Sequence, residues 1–182
     1  AARHHYDVLI SAMLPDDDEM EIYKRVVGGR RVDGVILART HRNDPRITYL
    51  REINVPFVVS GRASPNHPSD FPYIDADSQY GVALMVEHFV DYGHHHIGLI
   101  LSPEQVAFTG YRLQGYWDGL AAAGLPYRAE YVISADLTRV GGQQAAAQLL
   151  ADAVSERFVC GTTDDAGKAV IEVHLQSGVM DP

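Results

Sequence analysis

The chain has 182 residues, of which 46 % are hydrophobic and 21 % charged, a composition typical of a globular protein with a buried core. Its formal net charge is −9, whereas binding to a phosphate backbone requires a positively charged face. We therefore do not expect this part of the protein to bind nucleic acid directly. The single cysteine, Cys160, excludes a disulfide framework and a cysteine-based zinc site within the chain.

The chain also lacks the sequence features of a membrane or secreted protein. No apolar run approaches the roughly 20 residues that span a bilayer. The amino terminus, residues 1–6, does not have the charged and then apolar layout of a secretory signal. We therefore expect no membrane partner and a cytoplasmic location.

Short apolar runs that predict strands alternate along the chain with amphipathic segments that predict helices. The predicted strands cover residues 6–12, 34–38, 56–60, 97–101, 131–134 and 158–160. The predicted helices cover residues 17–30, 46–53, 80–92, 110–123, 140–153 and 165–177. This alternation is typical of βαβ crossovers, and it predicts an α/β protein with parallel sheets covered by helices.

The segment from residue 73 to residue 101 is the most informative part of the chain. Asp77 or Ser78 can cap a helix by accepting a hydrogen bond from one of its first-turn amides. Gly93 can end that helix in the left-handed conformation that is cheap only for glycine. The apolar run 97–101 is too short for a helix and fits a buried parallel strand.

The particular residues of this segment resemble a sequence block of the LacI/GalR family of bacterial transcription regulators. The family has D-N-x-x-G, then H-L and G-H-R-R-I, and this chain has Asp77-Ser78 with Gly81, then His88, then Gly93-His94-His95-His96-Ile97. Further stretches resemble the family in the same order: residues 31–37 (RVDGVIL), 55–62 (VPFVVSGR), 112–116 (RLQGY), 122–125 (AAGL) and 159–164 (VCGTTD).

The resemblance implies a fold of two Rossmann-like lobes with parallel sheets, of the periplasmic-binding-protein type I, with a small ligand between the lobes. Ligands of parallel sheets also generally bind at the carboxyl ends of the strands. We expect residues 1–101 to form the amino-terminal lobe and residues 102–182 the carboxyl-terminal lobe, because Ser102-Pro103 interrupts regular structure. Against the family pattern, both lobes are incomplete.

The resemblance also implies a set of ligand-binding residues, of which Arg112 is the strongest candidate. Its guanidinium can present paired donors to hydroxyls, a carboxylate or a phosphate, although it could also be a solvated surface arginine. The other candidates lie at or after the carboxyl ends of predicted strands: Ala38, Arg39, Phe108, Thr109, Leu137, Thr163 and Asp164.

Three of these candidates depart from the family or have a second possible role. Asp164 can accept hydrogen bonds from sugar hydroxyls, or it can cap the helix that follows. The family usually has asparagine in place of Thr163, and often an aromatic residue in place of Leu137, so the identity of the ligand does not carry over.

No motif in the chain indicates a metal site or a catalytic site. His94, His95 and His96 are consecutive, and neighbouring residues of an extended chain point to opposite faces, so they do not converge on one ion. No nucleophile stands beside a base, and there is no phosphate-binding loop. We predict no metal, no cofactor and no enzymatic activity.

These features predict the effector-binding and dimerisation region of a LacI/GalR-type transcriptional regulator, such as a repressor. By the resemblance, its partners would be a small-molecule effector, most often a sugar in this family, and operator DNA bound through a helix-turn-helix that this chain does not contain. We expect a homodimer. The alternative is an extracytoplasmic solute-binding protein of the same fold, which would feed a transporter.

Overall fold

The computed structural model of the protein describes residues 2–10, 18–63, 65, 69–152 and 158–161. Within them lie two three-stranded parallel sheets with strand orders β1-β2-β3 and β5-β4-β6. The strands are β1 (Val35–Ala38), β2 (Phe57–Ser60), β3 (Tyr73–Ile74), β4 (His96–Leu101), β5 (Val132–Ser134) and β6 (Phe158–Gly161). The α-helices are α1 (Glu19–Tyr23), α2 (Pro45–Glu52), α3 (Ser78–Asp91), α4 (Thr109–Ala122) and α5 (Arg139–Asp152).

Strands β1–β3 with helices α1 and α2 form what we call the first unit. Helix α1 continues as a π-helical turn, Lys24–Gly28. The helices cover one face of the sheet, where Leu37, Val59 and Leu50 are completely buried. On the opposite face Ile36 is 77 % exposed and Ile74 is 70 % exposed. The described residues of this unit therefore bury only one face of the sheet.

Strands β4–β6 with helices α3, α4 and α5 form the second unit. Helices α3 and α4 pack on one face of its sheet, where Val86 and Leu99 are buried and Tyr116 donates a hydrogen bond to the carbonyl oxygen of Ile97 at 2.6 Å. Helix α5 packs on the other face, against Ile100. Burial of the sheet on both faces is the usual state of a parallel sheet.

The structure confirms the predicted α/β architecture, with five of the six predicted strands in two parallel sheets. The cap and the end of α3 are also as predicted. The Asp77 carboxylate accepts a hydrogen bond from the amide of Tyr80 at 3.0 Å, and Gly93 has a φ of +82°. The predicted helix at residues 165–177 lies outside the described residues.

The assignment of strand 97–101 to the first lobe is corrected by the strand pairing. Strand β4 pairs with β5 and β6, so the chain passes from the first sheet to the second between β3 and β4, before α3. The expected division after residue 101 rested on Pro103, but a proline there ends a strand whatever sheet that strand belongs to. The expected lobe boundary between residues 101 and 102 therefore does not coincide with the point where the chain leaves the first sheet for the second.

The predicted strand at residues 6–12 is not present in its described part. Residues 6–10 form no strand, and Tyr6, Val8 and Ile10 are 71 %, 70 % and 87 % exposed. An apolar run becomes a strand only where a neighbouring strand satisfies its backbone groups, and none pairs with it among the described residues. The structure also contains the short strand β3 at the start of the segment 73–101, where a strand was predicted; two of its residues pair with β2. None of the described helices is long and apolar enough to cross a membrane.

Candidate ligand-binding site

The carboxyl ends of β1 and β4, one from each sheet, lead into loops that contact each other. The amide of Arg42 donates to the carbonyl oxygen of Gln105 at 3.1 Å, and the amide of Ala107 donates to that of Thr40 at 3.0 Å. His41 and Val106 lie between them as an antiparallel bridge. We call this contact the junction. It brings the carboxyl ends of strands from both units to the place where a parallel fold usually binds its ligand.

The loop after β2 reaches the second unit next to the junction. The guanidinium carbon of Arg62 lies 4.2 Å from the ring centroid of Tyr111, in the first turn of α4. Its Nε donates to the Asp75 carboxylate at 2.9 Å, and this hydrogen bond raises the pKa of Arg62 above its ordinary value. Pro65 lies against Gly110, where a Cβ would be 3.0 Å from the proline Cδ.

Arg112, the strongest sequence candidate, lies in the first turn of α4 and is half-buried. Its guanidinium carbon is 4.2 Å from the centroid of the Phe108 ring, so the two predicted site residues contact each other. Stacking of a guanidinium on a ring fixes the plane in which its N–H groups lie. This arrangement can hold the donors of Arg112 in a set direction beside the junction.

Thr109, another candidate, uses its hydroxyl within the protein. The residue is buried, and its Oγ1 donates to the carbonyl oxygen of Pro103 at 3.0 Å and lies 2.5 Å from the Ser102 hydroxyl. These bonds shape the turn that leads from β4 into α4. A contact of Thr109 with ligand stays a prediction.

Ala38 and Arg39 lie at the carboxyl end of β1, and both are exposed. Arg39 has a φ of +51°, which is costly for a residue with a side chain and needs support from its surroundings. That support comes from Arg46, whose Nη2 donates to the carbonyl oxygens of Ala38 at 3.2 Å and Arg39 at 3.1 Å. The loop that leads into the junction is therefore fixed from inside the first unit.

A buried ion pair, which the sequence analysis did not anticipate, anchors this support. Arg46 donates to both carboxylate oxygens of Asp44, at 2.9 Å and 2.6 Å, and to Glu19 at 2.6 Å. Burial would raise the pKa of the Asp44 carboxyl, but hydrogen bonds from Arg46 and from the His41 amide outweigh it and hold that pKa below its usual value. The signal was present as Asp44-Pro45, because an acidic residue before proline is typical of a helix start.

Of the remaining candidates, the structure describes only Leu137. Leu137 is half-buried in the loop after β5, where Asp136 accepts a hydrogen bond from the Thr138 amide at 3.1 Å. Thr163 and Asp164 lie outside the described residues. The structure thus gathers Phe108, Thr109 and Arg112 on one segment and holds that segment against the loop that follows β1.

Two surface cavities lie away from the junction. One, of about 180 Å³, is at the amino-terminal edge of β4 and is lined in part by His96, Arg128 and Tyr131. The other, of about 320 Å³, is an apolar groove beside Trp117 and Tyr127.

The imidazoles of the consecutive histidines contact different neighbours: His94 meets the Phe89 ring edge-on, and His96 Nδ1 lies 2.7 Å from the Tyr131 hydroxyl.

The sequence model of the family described as periplasmic binding proteins and sugar binding domain of LacI family matches residues 1–179. The chain belongs to this family. Membership confirms the resemblance drawn from the sequence motifs. It also agrees with the two parallel sheets and with the meeting of their carboxyl ends.

Individual family members show the same relationship. The chain is 34 % identical over 156 residues to the HTH-type transcriptional regulator CelR of Thermobifida fusca, an alignment that covers 86 % of this chain and 46 % of CelR. The chain therefore spans about half the length of that relative.

Solved structures of the family confirm the fold. A LacI family transcriptional regulator from Mycobacterium smegmatis superposes with a TM-score of 0.80 at 25 % identity, over 100 % of this chain and 66 % of that one. A complex of the transcriptional regulator CelR with cellobiose superposes with a TM-score of 0.74 at 32 % identity, over 87 % of this chain and 48 % of CelR.

Proposed function

We propose that this chain is the effector-binding region of a transcriptional regulator of the LacI family, and that its effector is a sugar. The observation that carries the proposal is the junction, where the loops after β1 and β4 meet beside Arg112 and Phe108. An arginine with an oriented plane and a neighbouring aromatic ring suit a ligand rich in hydroxyl groups. The complex of the relative CelR with cellobiose supports a sugar as the class of ligand.

In the proposed mechanism, a sugar that binds between the units favours one arrangement of the units over another. The shift is limited by the difference in the sugar's affinity for the two arrangements. DNA-binding heads elsewhere in the full-length protein would read this shift as a change in operator affinity. The proposal includes a homodimer, since regulators that read two-fold symmetric operators are commonly symmetric dimers.

The proposal also covers location and chemistry. A regulator of this kind acts where the DNA is, in the cytoplasm, and it acts by binding, without catalysis. The named relatives are transcriptional regulators, so the alternative of a transport-associated solute-binding protein is not favoured. The family description itself includes both classes of protein.

The test is a calorimetric titration of the full-length protein with cellobiose, other disaccharides and monosaccharides. We expect one of these sugars to bind and to change operator affinity in a parallel gel-shift measurement. Replacement of Arg112 by alanine removes hydrogen bonds to a charged donor, typically about 1.5–3 kcal/mol, and should weaken binding by roughly ten-fold to more than a hundred-fold.

The matched control is Arg51→Ala, because Arg51 pairs with Asp70 on the surface of the first unit, away from the junction. We expect this variant to bind the sugar as the wild type does. Equal dissociation constants for Arg112→Ala and wild type would remove Arg112 from the site. Failure of every sugar to bind would overturn the proposed class of effector.

A further inference from the structure

We propose that Arg62 is a positioning residue that clamps the second unit onto the first. It does so by stacking on Tyr111 while it is anchored to Asp75. The existence of this clamp is independent of the proposed function, whereas its effect on sugar affinity rests on that function. Arg62 was not among the ligand-binding residues predicted from the sequence. It entered the sequence analysis as the last residue of the family-like stretch 55–62.

The contacts of Arg62 join three parts of the chain. Arg62 is the second residue after β2. Gly61 lies between them, and its φ of +127° turns the chain out of the sheet. Its Nε donates to Asp75, in the connection from β3 to α3, and its Nη2 lies 4.0 Å from the Asp77 carboxylate that caps this helix. Its guanidinium lies on the ring of Tyr111, in α4.

The surroundings of this side chain favour a strong contact. The side chains of Arg62 and Asp75 are only 27 % and 17 % exposed, so water screens their pair less than it screens the pair of Arg51 and Asp70, which are 42 % and 71 % exposed. The carboxylate fixes the guanidinium from one edge and leaves its flat face for the aromatic ring. A lysine ammonium can make either contact, but a planar guanidinium makes both at once, with its edge on the carboxylate and its face on the ring.

The clamp acts on the segment that carries the candidate site. Tyr111 immediately precedes Arg112, and Gly110 beside it is held by Pro65 from the same loop as Arg62. A few residues earlier, Gln105 and Ala107 are bonded to the loop after β1. The first unit thus holds residues 105–112 from two sides, by backbone pairing on one side and by Arg62 on the other.

Separation of the units must break the stack, because its two partners belong to different units. Loss of Arg62 should therefore increase the fraction of molecules in which the junction is open. Amide hydrogen exchange measures this fraction directly, since a bonded amide exchanges only when its bond opens. The amides of Arg42 and Ala107 donate the two backbone bonds of the junction, so they report the opening residue by residue.

The experiment compares Arg62→Gln with Arg51→Gln in the full-length protein without ligand. We expect the Arg42 and Ala107 amides to exchange about tenfold faster in Arg62→Gln, since loss of one charge-assisted contact suffices for such a change. Arg51→Gln removes an arginine–aspartate pair that stays within the first unit, and it should leave both rates unchanged. Amides in the centre of β4 should keep their rates in both variants, which shows that the fold is intact.

A second pair of variants tests the stack from the other side. Tyr111→Leu removes the ring and should reproduce the faster exchange at Ala107, whereas Tyr111→Phe keeps the ring and should behave as wild type. Arg62→Lys keeps the charge without the plane and should not restore slow exchange. Equal junction rates in Arg62→Gln, Tyr111→Leu and wild type would overturn the clamp.

Titration of the same variants with cellobiose separates the clamp from the proposed function. If only the closed arrangement binds, affinity falls with the fraction of closed molecules, so Arg62→Gln should bind cellobiose more weakly than Arg51→Gln does. Faster exchange together with no sugar binding in any variant supports the clamp and contradicts the proposed effector. Unchanged exchange contradicts the clamp whether or not a sugar binds.

Discussion

Each of the two units contains its own parallel sheet, and the described residues bury the two sheets differently. In the second unit the consecutive residues Leu99 and Ile100 point to opposite faces and are 3 % and 4 % exposed, because helices lie on both faces. In the first unit Leu37 is completely buried, while its neighbour Ile36 is 77 % exposed. Strands of similar apolar sequence are therefore buried to different extents in the two sheets. The placement of the helices decides which faces of each sheet are buried.

The units also differ in what fixes their loops at the carboxyl ends. In the second unit the turn after β4 is held by a hydrogen bond between the side-chain hydroxyls of Ser102 and Thr109. In the first unit the loop after β1 depends on the buried pair of Asp44 and Arg46. Among the described residues, the unit whose sheet is covered on one face thus fixes its loop with a buried ion pair, and the unit whose sheet is covered on both faces fixes its turn with hydroxyl groups.

The largest expected effect is on the polar anchor. Replacement of Arg46 by methionine leaves the Asp44 carboxylate buried without its partner, which should lower the free energy of unfolding by about 3–5 kcal/mol. Urea denaturation followed by circular dichroism measures the change. Arg51→Met, on the exposed face of the same helix, is the control and should unfold at the wild-type urea concentration. Equal midpoints for the two variants would show that the anchor does not stabilise the first unit.

The next prediction compares one residue type in the two sheets. Ile100→Ala empties a space under α5 and should cost about 2–5 kcal/mol. Ile36→Ala removes an exposed side chain and should cost less than about 1 kcal/mol, from strand propensity alone. Denaturation of the full-length variants gives both values. A loss at Ile36 as large as that at Ile100 would mean that another element covers this face of the first sheet.

A third prediction concerns the close approach of α3 and α4 in the second unit. A Cβ at Gly115 would overlap the carbonyl oxygen of Gln79, so Gly115→Ala forces the helices apart and should cost about 1–3 kcal/mol. Gly81 lies in α3, and outside its own helix turn no described atom lies within 4 Å of the position of a Cβ. Gly81→Ala should instead stabilise the protein, by up to about 1 kcal/mol. Thermal unfolding shifts of the same sign in both variants would contradict this packing.

The smallest expected effect is the pH dependence of the anchor. Because the pKa of Asp44 is lower in the folded protein than in the unfolded chain, its carboxylate stabilises the fold above the unfolded pKa of about 4. That contribution is lost as the pH falls through the folded pKa. Between about pH 5 and about pH 2, the wild type should therefore lose more stability than Asp44→Asn, in proportion to the difference between the unfolded and the folded pKa of Asp44.

Parallel losses in the wild type and in Asp44→Asn over this range would show that Asp44 does not couple folding to protons. The control is Asp70→Asn. Its carboxyl also has a lowered pKa, because of its hydrogen bond from Arg51, but this pair is exposed and screened by solvent. Its pH dependence should follow that of the wild type closely.

The candidate site was predictable in part. The position of Arg112 at the start of a helix after β4 followed from the local pattern, and the structure adds its stack on Phe108. Arg62 was not predictable as a contact of Tyr111, because the two residues are 49 positions apart and no local pattern links them. Whether the candidate residues contact a ligand stays a prediction.

Short-range sequence signals were enough to predict several local elements: the cap at Asp77, the end of α3 at Gly93 and the short apolar strand β4. These depend on hydrogen bonds and backbone preferences within a few residues, which a single chain segment contains. Contacts between distant parts of the chain place β4 in the second sheet, leave residues 6–10 without a strand partner among the described residues, and bring Arg62 to Tyr111. Each of these depends on which partner offers hydrogen bonds or a surface from far along the chain, and that choice is made by the packing of the whole molecule.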